Sequence, residues 1–228
     1  GVATRPVLSL NRGFSAPIRL EWKAREEDLL FPLANDVDAF NRWEAGQKLM
    51  LRDLSRMVKD VSEGRAPRSN PALLEALGKA LRDPSLDANL KAKLLVLPSD
   101  SYLSQEEEQF RAEAYDQARL AWKQDFAKSQ ESALLEIYNR EHGRYDDRLD
   151  QQAMASRSLK NTALAYLARL PSQAELAWKQ FRTAAHMTDL EVATAIGREL
   201  DVEKRAGAIQ GFFDQWKSDT LTMNKWFA

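Results

Sequence analysis

A helical repeat of apolar side chains runs through the chain from about Glu26 onward, and it constrains the fold more than any other feature. Within residues 36–62, apolar side chains recur three or four positions apart and so line one face of a helix. They are Val37, Phe40, Trp43, Met50, Leu54, Met57, Val58 and Val61. The same spacing predicts helices over residues 71–83, 86–95, 105–129, 134–142 and 149–170, with shorter helices around residues 178–181, 190–196 and 206–216.

Capping and breaking residues fall between these apolar stripes. Asn35 or Asp36 can cap the start of the first long helix, and Gly64 ends it. Asn70 is suited to cap the next helix, with Pro71 at its first position. Because the helices differ in length and no repeat of fixed period occurs, we predict an all-α fold, an antiparallel helical array of irregular solenoid or bundle type, armadillo/HEAT-like.

The first two dozen residues have a different period. Ile18, Leu20 and Trp22 alternate with charged residues, which is the pattern of a half-buried strand. A second short extended stretch precedes them at residues 6–10. Since two short strands do not form a stable sheet alone, they either pair with strands absent from this chain or lie across the helices as an ordered strap.

Composition argues against several classes of function. Lys plus Arg (33) nearly balances Asp plus Glu (34), so charge favours neither nucleic acid nor an anionic membrane as a partner. No apolar run approaches the ~20 residues that a membrane-spanning helix needs. The chain has no cysteine, which excludes disulfides and thiolate metal sites and fits a reducing, cytoplasmic compartment.

Histidines are too few and too far apart for a helical zinc-peptidase site. Such a site needs two histidines at i and i+4 with a glutamate between them. His142 and His186 are the only histidines, and neither has that partner. Glu141 precedes His142, but adjacent residues on a helix point about 100° apart. We therefore predict no catalytic residue, no metal ligand and no cofactor within this chain, and its substrate-binding residues are unknown.

Two other stretches resemble sites but have simpler interpretations. Residues 36–47, DVDAFNRWEAGQ, depart from a calcium loop because Phe40 takes the fifth position and Asn41 replaces the glycine of the sixth. We interpret them as a solvated helix start. Residues 104–109, SQEEEQ, are interpreted as a cap followed by negative charge at a helix amino terminus.

Six stretches in the same order resemble bacterial aminopeptidase N, a family of zinc-dependent gluzincin alanyl aminopeptidases. They are PVLSLNRGFSAPIRLEW, NDVDAFNRWEAGQKL, LPSDSYL, SLKNTALAYLA, MTDLEVATA and DQWKSDTLTMNKWFA, which span Pro6 to Ala228. The resemblance implies that residues 1–24 are the terminal strand segment of a β-sandwich domain. It also implies that residues 25–228 belong to the C-terminal helical domain, truncated at its C-terminal end.

The chemistry of that family does not transfer to this chain. Its zinc motif H-E-x-x-H and its substrate-gripping G-x-M-E-N motif are absent here. The resemblance therefore implies a non-catalytic part of an enzyme whose zinc lies in another domain. Its expected partners are the rest of the same polypeptide and small peptides, with the helical domain covering the active-site cavity and restricting access. The alternative is a free-standing α-helical scaffold for protein interaction.

A fragment cut at both ends, as the resemblance and the initial Gly1 suggest, would expose apolar residues. Leu221, Trp226 and Phe227 would lack their neighbouring helices. Exposed apolar patches favour association, so we expect possible self-association of the fragment through one of its ends.

Overall fold

The fold is described from a computed structural model, which covers residues 5–18, 22–105, 111–145, 148–184, 186–200 and 202–227. Helices dominate, and the described residues contain no strand. The all-α prediction is therefore confirmed. The chain divides into two compact units, residues 1–136 and 137–228. The predicted boundary between residues 24 and 25 stays a prediction.

The first unit contains five helices and most of a sixth. They are α1 (Glu26–Asn35), α2 (Ala39–Ser62), α3 (Pro71–Arg82), α4 (Ala88–Leu94), α5 (Asp100–Gln105) and the greater part of α6 (Ala112–Glu141). Helix α1 packs against α2 and α3, and α2 also packs against α4. Fully buried side chains form the core, among them Leu33, Met50, Leu54, Met57, Leu73, Leu77, Trp122 and Phe126.

Helix α2 begins later than predicted and ends as predicted. Asp38 caps it, accepting a hydrogen bond from the Asn41 N–H at 2.9 Å, so the predicted caps Asn35 and Asp36 are wrong. Val37 lies outside the helix and is 90% exposed, so its assignment to the buried stripe is also wrong. At the other end, Gly64 takes φ +73°, the left-handed conformation that glycine adopts at helix ends.

The amino-terminal segment forms no strand where it is described. A short 3₁₀ turn (Arg12–Phe14) interrupts residues 5–18, and Asn11 at φ 50° and Gly13 at φ 64° turn the chain out of an extended course. The Ser9 hydroxyl donates to the Asp36 carboxylate at 2.6 Å, and the Gly13 N–H donates to that of Asp38 at 2.7 Å. The predicted β segment is therefore not seen, and the segment lies as a strap on the helices instead.

The reason is that a period-2 pattern becomes a strand only when another strand satisfies its backbone groups. Here side chains of α1 and α2 hold the segment instead, including the Asn41 amide, which donates to the Ser9 hydroxyl at 2.7 Å. Of the residues that carried the strand prediction, Arg19, Leu20 and Glu21 lie outside the described residues.

Helix α6 replaces two predicted helices. Residues 112–141 run as one helix where we predicted separate helices over 105–129 and 134–142. A kink at Gln130 (φ −120°, ψ 18°) marks the predicted break, but the helix resumes after it. Gln130 is buried, and its amide donates to the Leu74 carbonyl of α3 at 3.3 Å. Packing therefore keeps the helix going through a local distortion.

The second unit contains the end of α6 and five further helices. They are α7 (Gln151–Leu167), α8 (Glu175–Thr183), α9 (Met187–Leu200), α10 (Val202–Trp216) and α11 (Thr220–Phe227), with a 3₁₀ turn (Pro171–Gln173) before α8. Helix α9 packs against α7, α8 and α10. Asp150 caps α7 by accepting from the Ala153 N–H at 3.0 Å, so this helix is shorter than the predicted 149–170.

Helices α1 and α5 were not predicted as separate elements. Helix α1 has Pro32 in its interior and only a ten-residue length, so its periodic signal is short. Among the described residues, no helix is long and apolar enough to cross a membrane.

Candidate functional site

The described residues contain no constellation suited to catalysis by a metal. No group of three or more His, Cys, Asp or Glu side chains among them could hold a metal ion. His142 lies in the exposed turn after α6 and stacks on Tyr138, with ring centroids 5.4 Å apart. His186 lies between α8 and α9, where its carbonyl accepts from the Asp189 N–H at 3.1 Å. Neither histidine therefore lies in a group of possible metal ligands within the described part of the chain.

The stretch that resembles a calcium loop is held by protein groups. Asp36 accepts hydrogen bonds from the Ser9 hydroxyl and, at 3.0 Å, from the Arg12 guanidinium, while Asp38 caps α2. Burial by itself would raise the pKa of Asp36, but the hydrogen bonds from Ser9, the Asp38 N–H and Arg12 outweigh burial and lower this pKa. The stretch does contain the start of α2, and Val37 and Ala39 are exposed there, but the Asp36 side chain is only 6% exposed and is paired with Arg12.

Four buried polar side chains of the second unit form a hydrogen-bonded cluster, which we call the α7–α9 polar cluster. Lys160 Nζ lies 2.5 Å from Asp189 Oδ2, and the Asn161 amide donates to Asp189 Oδ1 at 2.9 Å. The Gln180 amide donates to Asn161 Oδ1 at 2.8 Å and to the Asp189 carbonyl at 3.1 Å. All four residues are buried.

This cluster joins three helices that are distant in sequence. Lys160 and Asn161 come from α7, Gln180 from α8 and Asp189 from the first turn of α9. A buried carboxylate next to a helix amino terminus is favoured by the helix dipole. The four side chains are joined by hydrogen bonds, although Gln180 Oε1 is buried without a partner, so the cluster can fix how α7, α8 and α9 pack.

Sequence reasoning did not assign the cluster, although a signal was present. Lys160 and Asn161 lie in SLKNTALAYLA, and Asp189 lies in MTDLEVATA, two of the stretches that carry the family resemblance. Polar residues inside an otherwise apolar helical stripe predict a buried partner, because unpaired burial costs free energy. Which partner each residue finds could not be read from the sequence.

Two titratable groups near the start of the second unit have shifted pKa values. Burial, together with the negative charge of Asp189, raises the pKa of Tyr138 to about 12. Burial would also raise the pKa of Glu141, but hydrogen bonds from Arg140 and Ser156 reverse the effect and lower this pKa. The Glu141 carboxylate accepts from the Ser156 hydroxyl at 2.7 Å, which ties α6 to α7.

The first unit has a comparable pair in Arg42 and Asp83. The buried Arg42 guanidinium donates to Asp83 Oδ2 at 2.8 Å and to the Leu33 carbonyl at 3.2 Å. Hydrogen bonds from Ser85 and from Arg42 lower the pKa of Asp83 to about 2. The pair therefore links the end of α1, the start of α2 and the end of α3.

Asp53 is a second polar centre of the first unit. Its carboxylate accepts from the Asn70 N–H at 3.0 Å and from the Trp122 indole at 3.2 Å. It also pairs with Arg56 at 2.5 Å. These contacts hold α2, the loop before α3 and α6 together, so this carboxylate acts within the fold.

One small cavity lies between the amino-terminal strap and helices α1 and α2. Its volume is about 30 Å³, and its lining includes Leu8, Trp22, Pro32 and Ala45. A cavity of this size holds roughly two water molecules, so it is too small for a peptide.

The comparisons with known proteins place these helices in a family. The profile of a family described as "Domain of unknown function (DUF3458_C) ARM repeats" matches residues 26–228. This chain belongs to that family. The match spans nearly the whole helical region, and it agrees with the predicted armadillo-like array.

The chain is similar along its length to bacterial proteins named aminopeptidase N. The chain is 30% identical to aminopeptidase N of Haemophilus influenzae over 229 residues, covering 100% of this chain and 26% of the relative. It is 33% identical to aminopeptidase N of Caulobacter vibrioides over 235 residues, covering 98% and 26%. The chain therefore spans about a quarter of the length of these relatives, and it aligns to their C-terminal region.

A solved structure has the same fold. Aminopeptidase A of Legionella pneumophila, solved in complex with aspartic acid, superposes with a TM-score of 0.81 at 25% identity. The match covers 99% of this chain and 27% of that chain. The resemblance to bacterial aminopeptidase N stated from the sequence is thus confirmed.

Proposed function

We propose that this chain is a non-catalytic helical part of a zinc-dependent aminopeptidase that removes N-terminal residues from small peptides. One observation carries the proposal: the chain matches bacterial aminopeptidases N along essentially its whole length, yet covers only 26% of them. Its match lies in their C-terminal region. The rest of the same polypeptide would then supply the zinc and the catalytic groups.

The sequence favours a structural role for this chain over a catalytic one. It has no H-E-x-x-H motif and only two histidines. The buried carboxylates described above, Asp53 and Asp189, are engaged by donors within their own units. No reaction step is therefore assigned to residues of this chain.

The contribution of the helical part would be to cover the active-site cavity and restrict access to short peptides. A closed cavity selects substrates by size and lowers the access of water to the reacting centre. The partners are then the catalytic and β-sandwich domains and small peptides, without nucleic acid or membrane, in a cytoplasmic enzyme.

The test of the non-catalytic role is direct. The purified chain, supplied with zinc, is incubated with an alanyl chromogenic amide, and release of the chromophore is followed. We expect no hydrolysis above buffer, because no metal-activated water is available as nucleophile. Hydrolysis that a chelator abolishes would overturn the proposal.

A further inference from the structure

Helix α6 bends at Gln130, where a neighbouring side chain competes with its backbone hydrogen bonds. Gln130 has φ −120° and ψ 18°, which are not helical values. The Ser129 hydroxyl donates to the Phe126 carbonyl at 3.0 Å, and this is the carbonyl that the Gln130 N–H would use in a regular helix. Serine hydroxyls that bind carbonyls of the preceding turn often bend helices, and sharp kinks occur where a side chain enters the hydrogen-bond ladder.

The buried Gln130 side chain packs against α3 and stabilises the bend. Its amide donates to the Leu74 carbonyl at 3.3 Å. The side chain has room there because residue 78 is a glycine: a Cβ atom on Gly78 would lie 2.2 Å from Gln130 Oε1. This oxygen is buried and has no hydrogen-bond partner among the described residues, which costs free energy. One hydrogen bond that favours the bend is therefore opposed by one unpaired oxygen.

The bend also lies where α6 changes the elements that it contacts. Before the bend, the Trp122 indole donates to the Asp53 carboxylate of α2 at 3.2 Å. After the bend, the Glu141 carboxylate accepts from the Ser156 hydroxyl of α7 at 2.7 Å. The part of α6 after the bend, residues 131–141, which we call the α6 arm, is therefore tied to α7.

We propose that Gln130 is a hinge, about which the α6 arm turns between the bent form and a straighter form. In the straighter form the Gln130 amide leaves Leu74, and the Phe126 carbonyl regains its backbone hydrogen bond. The two forms differ little in free energy, because each gains hydrogen bonds that the other lacks and the bent form also buries an unpaired oxygen. Since Glu141 binds α7, this helix follows the arm. The inference goes beyond the proposed function and does not depend on it.

The test measures the distance between two spin labels by double electron–electron resonance. The chain has no cysteine, so Glu75→Cys in α3 and Asn139→Cys in the α6 arm, both at exposed positions, give two unique labelling sites. Asn139 lies about 13 Å of helix beyond the hinge, so a change in bend of about 20° moves it by roughly 5 Å. We expect two distance populations that differ by roughly this amount.

Two variants remove the two causes of the bend. Gly78→Ala places a methyl group where the Gln130 side chain lies, and Ser129→Ala frees the Phe126 carbonyl. We expect each variant to lower the ratio of bent to straighter form at least about threefold, because each removes one hydrogen bond from the bent form. The matched control is Gly197→Ala, where a Cβ atom has no neighbour within 4 Å, and it should keep the wild-type ratio.

Ser129→Ala keeps the test valid if Gly78→Ala misfolds, because Ser129 is exposed. Hydrogen exchange of the wild-type chain needs no variant. Relative to their intrinsic rates, the amides of residues 131–134 should exchange at least about tenfold faster than those of residues 121–124, because a hinge opens locally. A single narrow distance distribution for wild type overturns the inference, as do two populations whose ratio neither variant changes, or equal protection of the two sets of amides.

Discussion

The buried ion pair between Lys160 and Asp189 gives the sharpest stability prediction. Both side chains are almost fully buried, and their charged atoms lie 2.5 Å apart. In Lys160→Met the side chain loses its charge and is one atom shorter, which leaves a buried carboxylate whose remaining side-chain donor among the described residues is the Asn161 amide. Removing one partner of a buried pair costs about 3–5 kcal/mol. We expect a loss of that size in the free energy of unfolding.

Unfolding by urea is monitored by circular dichroism at a wavelength that reports helix content. The double variant Lys160→Met/Asp189→Asn removes both charges, so it should be about 2 kcal/mol more stable than Lys160→Met alone. The control is Lys217→Met, which breaks the more than half-exposed pair with Asp214 at 3.5 Å and should change stability by less than about 1 kcal/mol. A loss from Lys160→Met no larger than that of the control, or effects of the two substitutions that simply add, would refute the reasoning.

Three further predictions test individual groups. Because the folded pKa of Tyr138 is raised to about 12, wild type should lose stability as pH rises from about 10 to about 12, and urea unfolding of Tyr138→Phe should show a smaller loss. Because the folded pKa of Asp83 is lowered to about 2, the free energy of unfolding should fall as pH drops from about 4 to about 2. In Asp83→Asn this loss of stability at low pH should be smaller. An equal loss in the variant would argue against the pairing of Asp83 with Arg42. Gly78→Ala should lower the midpoint of thermal unfolding, because a Cβ atom at this position would lie 2.2 Å from Oε1 of the buried Gln130 side chain in α6. Gly197→Ala is the control: a Cβ atom there has no neighbour within 4 Å, so the midpoint should rise or stay the same.

The helical architecture could be predicted because its signals are local. Asn70 and Pro71 begin α3 as expected, with the Asn70 side chain accepting from the Ala72 N–H at 3.0 Å. Gly64 ends α2 in a left-handed conformation, and the Arg65 N–H returns to the Asp60 carbonyl at 2.8 Å. Such caps depend on residues within one turn, so the sequence carries the information.

Most of the wrong or missing predictions concern features that depend on contacts between residues distant in the sequence. The alternation around Ile18 predicted a strand, but the described part of that segment is held by side chains of neighbouring helices. The error at Val37 was local instead: several adjacent residues could cap α2, and because Asp38 caps it, Val37 lies outside the helix and is exposed. The partners within the α7–α9 polar cluster could not be assigned, because Lys160 and Asp189 are 29 residues apart and only packing brings them together.

We propose that this helical chain restricts access to an aminopeptidase cavity, and a measurement of substrate size selectivity tests this proposal most directly. The matched region of Haemophilus influenzae aminopeptidase N is replaced by this chain or deleted, and kcat/KM is measured for a dipeptide and for a long unstructured peptide. We predict that kcat/KM for the dipeptide divided by kcat/KM for the long peptide is at least about tenfold higher when this chain is present. This factor is equivalent to about 1.4 kcal/mol of discrimination. Equal ratios for the replaced and deleted enzymes, with both active on the dipeptide, would contradict it.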